Sequence, residues 1–145
     1  MGNGTLLRGV YHGFLRLQQA GQIDRLPRLL AVQAAACAPI YQAFRAGRET
    51  IEPLIADPTV ATGIAIGQPA RGAQILAAVR ATGGTVLGIA EQEIERTRNQ
   101  LARLGFYVES TAAVPVAALS ELPQAPAGGP LVVLLTGHGL KTPWE

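Results

Sequence analysis

The sequence contains few of the residues that bind structural metal ions or form disulfides in an oxidising compartment. Its 145 residues include one cysteine and two histidines, and only 5% of them are aromatic. One cysteine cannot form an internal disulfide, and two histidines with one cysteine are too few for a structural zinc site. We therefore predict no metal site and a reducing, cytoplasmic location. Cys37 lies in an Ala-rich run, which is typical of a small buried side chain.

Membrane spans and nucleic-acid footprints are also missing from the sequence. No apolar run reaches the ~18 to 20 residues that a membrane-spanning helix requires. The N-terminus has no basic region and no cleavage site after an apolar run, so it does not resemble a signal peptide. The net charge of +2 comes from scattered arginines, with no basic run and no interleaved aromatics. We expect neither a membrane nor a nucleic acid as a partner.

What is present is an alternation of helix-like and strand-like segments within a length that fits one domain, residues 1–145. Thr5 is the predicted N-cap of the first helix. Apolar spacing predicts helices over 6–19, 39–47, 70–81, 91–104 and from about 112. Apolar runs predict strands over 29–35, 85–89, 106–109 and 131–135, with loops over 48–58 and 123–130. This order predicts an α/β fold, with a mostly parallel sheet and helices on both of its faces.

Three loop segments lie where ligands usually bind in such folds, next to strand ends or helix starts. In Gly2-Asn3-Gly4-Thr5, small residues allow backbone N–H groups to face an anion at a helix N-terminus. Residues 59–69 carry two glycines around an apolar run. In residues 135–141, Thr136 follows a predicted buried strand, and His138 in the next turn is a candidate base. Each segment also has a structural interpretation: a helix cap, a strand with its turn, and an exposed turn histidine.

These segments carry a resemblance to the threonine synthase family. Leu135-Thr-Gly-His-Gly-Leu-Lys141 is similar to the family's LTGHGLK signature, and residues 59–69 are similar to its TVATAIRIGNP segment. Gly2-Asn3-Gly4-Thr5 resembles the GNAGN phosphate loop, and residues 105–113 resemble GIFVEPASAA. Because the motifs follow the family's order over essentially the whole chain, we interpret the chain as the C-terminal portion of such an enzyme.

The resemblance implies a cofactor and a set of site residues. Threonine synthases are pyridoxal-phosphate enzymes, and the chain would be part of the large domain of their fold type II (tryptophan synthase β-like) structure. They convert O-phosphohomoserine and water to threonine and phosphate, with the cofactor as electron sink. Gly2, Asn3, Gly4 and Thr5 would bind the cofactor phosphate, and Thr136 would hydrogen-bond the pyridine nitrogen. The residues implied to line the pocket are Thr62, Gly63, Gly67 and His138.

The sequence also departs from the family pattern. Its phosphate loop is one residue shorter, Ala65 stands where many members have arginine, and Ser110 replaces a proline. The family carries its Schiff-base lysine in an N-terminal motif resembling SFKDRG, whereas the only lysine here, Lys141, fits the GHGLK motif. We therefore expect a portion that is inactive alone. We also expect an amino-acid substrate for the full enzyme, and a homodimer that covers apolar surface.

Two other functions stay open at this point. One is a threonine dehydratase-like or other β-replacing pyridoxal-phosphate enzyme, since the departures fall where the substrate would bind. The other is a non-catalytic module that reuses the fold to bind an anion or a protein partner.

The missing Schiff-base lysine predicts a spectroscopic result. The chain mixed with pyridoxal phosphate should show no absorbance band of a lysine-bound cofactor, and the band should appear once a lysine-bearing partner is added. Ultraviolet–visible spectroscopy measures both. A strong band from the chain alone that Lys141→Ala abolishes would show that the chain carries its own anchoring lysine.

Overall fold

Two parallel strands form the centre of the fold in the computed structural model, which describes residues 1–122 and 129–141. Strands β1 (Leu30–Ala34) and β2 (Thr85–Ile89) pair with Ala31 opposite Val86 and with Ala34 opposite Ile89. Parallel strands require a long crossover connection, and the chain between these two contains helices. The helices of the described residues are α1 (Thr5–Gln19), α2 (Pro39–Arg45), α3 (Gly72–Ala81), α4 (Glu91–Arg103) and α5 (Ser110–Ala117).

Helices cover both faces of this sheet, because successive side chains of a strand point in opposite directions. On one face, Ala31 and Val86 pack against α2 and α3, with the buried side chains Ile40, Ala43, Ile75, Leu76 and Val79. On the other face, Val32 and Ile89 pack against α4 and α5, with Ile94, Val114 and Ala117. The predicted α/β class, with parallel pairing and helices on both faces, is confirmed. No helix of the described residues is long and apolar enough to cross a membrane.

Two of the predicted strands are wrong. Residues 106–109 contribute only an isolated antiparallel bridge from Val108 to His138, and residues 131–135 form no strand. This second segment is not buried either, since Val132 is 74% exposed. The apolar run favours a strand by composition, but a strand also needs a neighbour that accepts its backbone hydrogen bonds. The described part of the chain supplies none for residues 131–135.

Helix starts also differ from the predicted ones. The N-cap of α1 is Gly4 rather than Thr5, because Thr5 is already the first helical residue. Helix α3 begins at Gly72 rather than at residue 70. Helix α5 begins at Ser110 with Glu109 as N-cap, so that Pro115 lies inside the helix instead of in its first turn. Most of the loop predicted over 123–130, namely residues 123–128, lies outside the described residues.

Cys37 is part of the core, as its Ala-rich surroundings predicted. The residue is fully buried, in a short 3-10 turn that follows β1. Burial raises the pKa of its thiol, because a charged thiolate would lose its hydration there. These surroundings favour a structural role over a nucleophilic one.

Gln33 is a fully buried polar residue of β1 that joins three segments of the chain. Its Oε1 accepts hydrogen bonds from the N–H groups of Ile40 and Tyr41, at 2.9 and 3.0 Å. Its Nε2 donates to the carbonyl of Met1, at 3.3 Å. Helix α2 has alanine at its N-cap, so the glutamine side chain satisfies N–H groups that a capping side chain would otherwise bind.

Replacing Gln33 with leucine should therefore destabilise the fold. The variant Gln33→Leu keeps a similar volume but leaves the N–H groups of Ile40 and Tyr41 unpaired, at a cost of ~2–4 kcal/mol in the free energy of unfolding. Urea unfolding measures this cost. The matched control is Gln42→Leu, an exposed position on α2, which should change the free energy by less than ~0.5 kcal/mol. Equal losses in the two variants would contradict the capping role.

Candidate functional site

The first predicted segment forms a glycine turn that leads into α1. Gly4 adopts a left-handed conformation with φ of 72° and ψ of 15°, which favours glycine. A Cβ atom there would lie 2.2 Å from Cδ1 of the fully buried Ile75, so the position also lacks room for a side chain. No side chain caps α1, and the N–H of Arg8 bonds to the carbonyl of Gly4 at 3.0 Å. The N–H groups of the preceding first turn have no carbonyl partner within the helix, which is an arrangement that suits an anion.

The second predicted segment is a 3-10 turn at Thr62–Ile64 that lies beside the first. Thr62 and Gly63 are exposed, whereas Ile64 is buried in the core. A Cβ atom on Gly2 would lie 3.0 Å from Cδ1 of Ile66 and 3.4 Å from Cα of Ile64. The phosphate-loop candidate and this turn are therefore in direct contact.

Gly67, which was predicted to line the pocket, has a close contact of another kind. A Cβ atom on Gly67 would lie 1.9 Å from the carbonyl oxygen of Leu54, and the N–H of Leu54 donates to the carbonyl of Gly67 at 3.1 Å. The backbone approach to Leu54 is thus sufficient to explain the glycine.

The third predicted segment pairs with the residues that precede α5. The N–H of Glu109 donates to the carbonyl of Gly137 at 3.2 Å, and the N–H of Gly139 donates to that of Tyr107 at 3.0 Å. Gly137 packs tightly against the side chain of Glu109, where a Cβ atom would lie 1.8 Å from Oε1. Thr136, the residue implied to bind the ring nitrogen, is exposed at the start of this turn.

His138 is oriented by its own turn and by an aromatic neighbour. The N–H of Leu140 donates to Nδ1 of the imidazole at 3.2 Å. The ring meets that of Tyr107 edge-on, with centroids 5.3 Å apart and planes at 87°. Since Nδ1 accepts a hydrogen bond, the proton of the neutral imidazole is on Nε2. In this tautomer Nε2 of His138 is a hydrogen-bond donor, and the role of His138 as a base stays a prediction.

Residues 109–111 connect the second predicted segment to the third. A Cβ atom on Gly63 would lie 3.0 Å from Oγ1 of Thr111, and Glu109, two residues earlier, contacts Gly137. A series of contacts thus joins the three predicted segments, from Gly2 through the turn at Thr62–Ile64 and residues 109–111 to Gly137. Sequence reasoning did not assign Glu109 and Thr111 to the site, although their segment carries one of the family-like motifs.

Ser110 shows how the chain accommodates a departure from the family pattern. It stands where the family has a proline, is 2% exposed, and accepts a hydrogen bond from Nη1 of Arg98 at 2.9 Å. This bond links α4 to the first residue of α5. It therefore helps to fix the position of the neighbouring Glu109 and Thr111.

The candidate site is an open surface. Thr62, Gly63, Thr136 and His138 are all exposed. A groove of about 290 Å³ lies elsewhere, between α1 and α3, and none of the predicted site residues lines it. Its lining residues are Arg8, Tyr11, His12, Gln74, Ala77, Ala78 and Ala81.

Comparison with known proteins identifies the family. A family profile described as pyridoxal-phosphate dependent enzyme matches residues 1–137. The chain belongs to this family. It is 36% identical over 147 residues to the threonine synthase of Methanosarcina acetivorans and 36% identical over 145 residues to that of Synechocystis. Each match covers 99% of this chain and 36% of the relative, so the chain spans about a third of the length of these curated relatives.

Solved structures show the same fold. An L-serine ammonia-lyase from Rhizomucor miehei has a TM-score of 0.73 at 22% identity, over 95% of this chain and 43% of its own. A threonine deaminase from T.th. has a TM-score of 0.59 at 25% identity, over 83% of this chain and 41% of its own. The fold is that of fold type II pyridoxal-phosphate enzymes, as the resemblance implied.

The amino group of Met1 lies next to the glycine turn and away from water. It donates a hydrogen bond to the carbonyl of Val32 in β1. Burial lowers the pKa of this amino group from 8.0 to about 5, because the charged form would lose its hydration. In the isolated chain, the folded state therefore holds this amine uncharged at neutral pH.

This lowered pKa predicts a dependence of stability on pH. Between pH 8 and about pH 5 the unfolded chain binds a proton at Met1 that the folded chain does not, so the free energy of unfolding should decrease as the pH falls through this window. The slope from this group is at most ~1.4 kcal/mol per pH unit. Acetylation of Met1 removes the titrating charge and keeps an N–H donor. Urea unfolding of both forms should show a difference that grows towards pH 5, and parallel pH curves would contradict the prediction.

Proposed function

We propose that this chain provides the cofactor-phosphate and ring-nitrogen contacts of a threonine synthase-like pyridoxal-phosphate lyase. The observation that carries the proposal is the series of contacts that joins the glycine turn at Gly2–Thr5 to the turn after Thr136. Membership of the pyridoxal-phosphate dependent family and the similarity to threonine synthases over 99% of the chain support it.

The residues present fit the cofactor. The start of α1, which no side chain of the described residues caps, offers backbone N–H donors, and the glycine at position 4 lets this turn pack against the buried Ile75. Gly2, Asn3, Gly4 and Thr5 would hold the phosphate, which the positive end of the helix dipole also favours. The hydroxyl of Thr136 would hold the pyridine nitrogen. When bound, the cofactor supplies an electron sink for chemistry at the α- and β-carbons of an amino acid.

The side chains of the site determine which chemistry is favoured. A neutral hydroxyl at Thr136 does not keep a proton on the ring nitrogen as a carboxylate would, so it moderates the sink and favours elimination and replacement over transamination. Nε2 of His138 donates a hydrogen bond in the neutral ring, because Leu140 fixes the tautomer from the other side. A donor two residues from Thr136 is suited to orient an anionic group of the substrate.

The anchoring lysine comes from outside these residues in this proposal. Lys141 is exposed in the turn at Gly139–Lys141 and is the last residue of the motif that carries Thr136. The chain alone is then inactive. We place the full enzyme in the cytoplasm. There it would convert O-phosphohomoserine and water to threonine and phosphate. Exposed apolar side chains, among them Leu104, Val132 and Leu140, support a homodimer in which such surface is covered.

A second candidate is a lyase that acts on an unphosphorylated amino acid, as the name of the T.th. threonine deaminase indicates for that protein. Two observations favour it: the structural likeness at 25% identity, and Ala65 in place of the arginine of many threonine synthases. Without that guanidinium, the chain has one cation fewer to bind a substrate phosphate. Substrate profiling of the chain joined to a lysine-bearing portion separates the two candidates.

The phosphate-binding role of the glycine turn predicts a difference between two ligands. The chain should bind pyridoxal phosphate at least about tenfold more tightly than pyridoxal, because only the former has the phosphate that the helix start holds. Gly4→Ala should remove this difference, since the new Cβ atom displaces the turn from Ile75. Titration calorimetry measures both affinities.

The matched control is Gly21→Ala. Gly21 also has a positive φ, of 68°, but a Cβ atom there meets nothing within 4 Å and the residue lies beyond the other end of α1. The Gly21→Ala variant should therefore retain the preference for pyridoxal phosphate over pyridoxal. Asn3→Ala, at an exposed position, tests the same turn without a steric clash. It should weaken the binding of pyridoxal phosphate but not that of pyridoxal. Equal affinity for both ligands in the unmodified chain would refute the phosphate site.

A further inference from the structure

Glu91 contacts the loop that leads into the candidate site. Three acidic residues occupy the first half of α4, and they differ in what they contact. Glu93 pairs with Arg96 on the same helix, at 2.6 Å, and Glu95 is exposed to solvent. Glu91, the first helical residue, instead reaches across to residues 59 and 60. The first carboxylate of this 13-residue helix thus binds a loop outside the helix.

One carboxylate oxygen makes all of these contacts. Oε2 of Glu91 accepts hydrogen bonds from the hydroxyl of Thr59 at 2.9 Å and from the N–H of Val60 at 2.8 Å. The same hydroxyl oxygen accepts a third bond, from the N–H of Ala61 at 3.0 Å. Hydrogen bonds to an ionised carboxylate are shorter and stronger than neutral ones, and a carboxylate in the first turn of a helix is favoured by the dipole. Three consecutive residues are therefore fixed to the start of α4.

The fixed residues are the ones that place the turn of the candidate site. Ala61, which is fully buried, immediately precedes the 3-10 turn at Thr62–Ile64. Ile64 of that turn and the nearby Ile66 contact Gly2, and Gly63 of the turn contacts Thr111. A shift of residues 59–61 would thus move the middle of the surface that links the phosphate-loop candidate to the turn after Thr136.

We propose that Glu91 is a positioning residue of the candidate site. It holds residues 59–61 so that the turn at Thr62–Ile64 meets the phosphate loop on one side and Thr111 on the other. The inference rests on the proposed function in so far as this surface binds the cofactor. The other carboxylate oxygen, Oε1, is buried and has no hydrogen-bond partner among the described residues. A glutamine keeps the acceptor oxygen for Thr59 and Val60 but places an uncharged NH2 group at this buried position.

The test compares variants that keep or remove this acceptor. Glu91→Gln retains an oxygen for Thr59 and Val60, whereas Glu91→Ala removes it. Thr59→Val removes the hydroxyl alone, and it serves as the milder variant if Glu91→Ala does not fold. The matched control is Glu95→Ala, on the exposed side of α4. Amide hydrogen exchange, the free energy of unfolding and the dissociation constant for pyridoxal phosphate are measured for each variant.

We expect Glu91→Ala to accelerate exchange at Val60, Ala61, Ile64 and Ile66 by at least about tenfold, with α3 unchanged, since the loop opens locally. Pyridoxal phosphate should bind at least about fivefold more weakly to this variant. Thr59→Val should change both quantities in the same direction by less. Glu91→Gln should lie between Glu91→Ala and the unmodified chain in both quantities, because it keeps an acceptor oxygen but loses the charge, and Glu95→Ala should change neither.

Two results would overturn the proposal. One is unchanged exchange at Val60 and Ala61 in Glu91→Ala or, if that variant does not fold, in Thr59→Val. The other is a Glu91→Gln variant that fails as badly as Glu91→Ala. If the unmodified chain binds no pyridoxal phosphate, the proposed function fails, whereas the exchange measurements still decide whether Glu91 positions the turn.

Discussion

The hydrogen bonds of the buried Gln33 side chain determine how the start of the chain is placed against the sheet. This one amide binds the first N–H groups of α2 and the carbonyl of Met1, so three segments meet near the carboxyl end of β1. Gly4 then packs directly against Ile75 of α3. The start of α1, which has no buried residues of its own, is positioned by contacts made before the helix begins.

The candidate site extends from this point by close backbone contacts. At Gly2, Gly63 and Gly137, a side chain would press on the neighbouring segment, so each glycine permits an approach that a larger residue would prevent. The polar contacts lie behind this surface. Glu91 holds the residues that precede the middle turn, and Arg98 holds Ser110 beside Thr111. The surface that faces the proposed cofactor is thus shaped by glycines and supported by α4.

The sequence predicted the elements that depend on local pattern. The strand over 85–89 has the predicted bounds, and α4 lies within one residue of its predicted range, because apolar spacing and terminal glycines act over short distances. Residues 131–135 were predicted wrongly, because strand formation depends on a partner that composition does not reveal. The hydrogen bonds of Glu91 to Thr59 and Val60 also cannot be predicted from local sequence, because the partners are 32 and 31 positions away along the chain. The glycine turn and Thr136 were candidates from their local pattern, whereas their roles towards the cofactor came from family resemblance and stay predictions.

The exposed segment at 131–135 has a consequence for the isolated chain in solution. Its sequence, Leu-Val-Val-Leu-Leu, contains no charge and no proline, and four of its five side chains are exposed. Such a stretch, with backbone groups not paired in a sheet, is a template for intermolecular cross-β stacking. Fibril formation would compete with folding as the concentration of the chain increases. A charged gatekeeper residue in this segment would then improve handling of the protein without touching the phosphate loop.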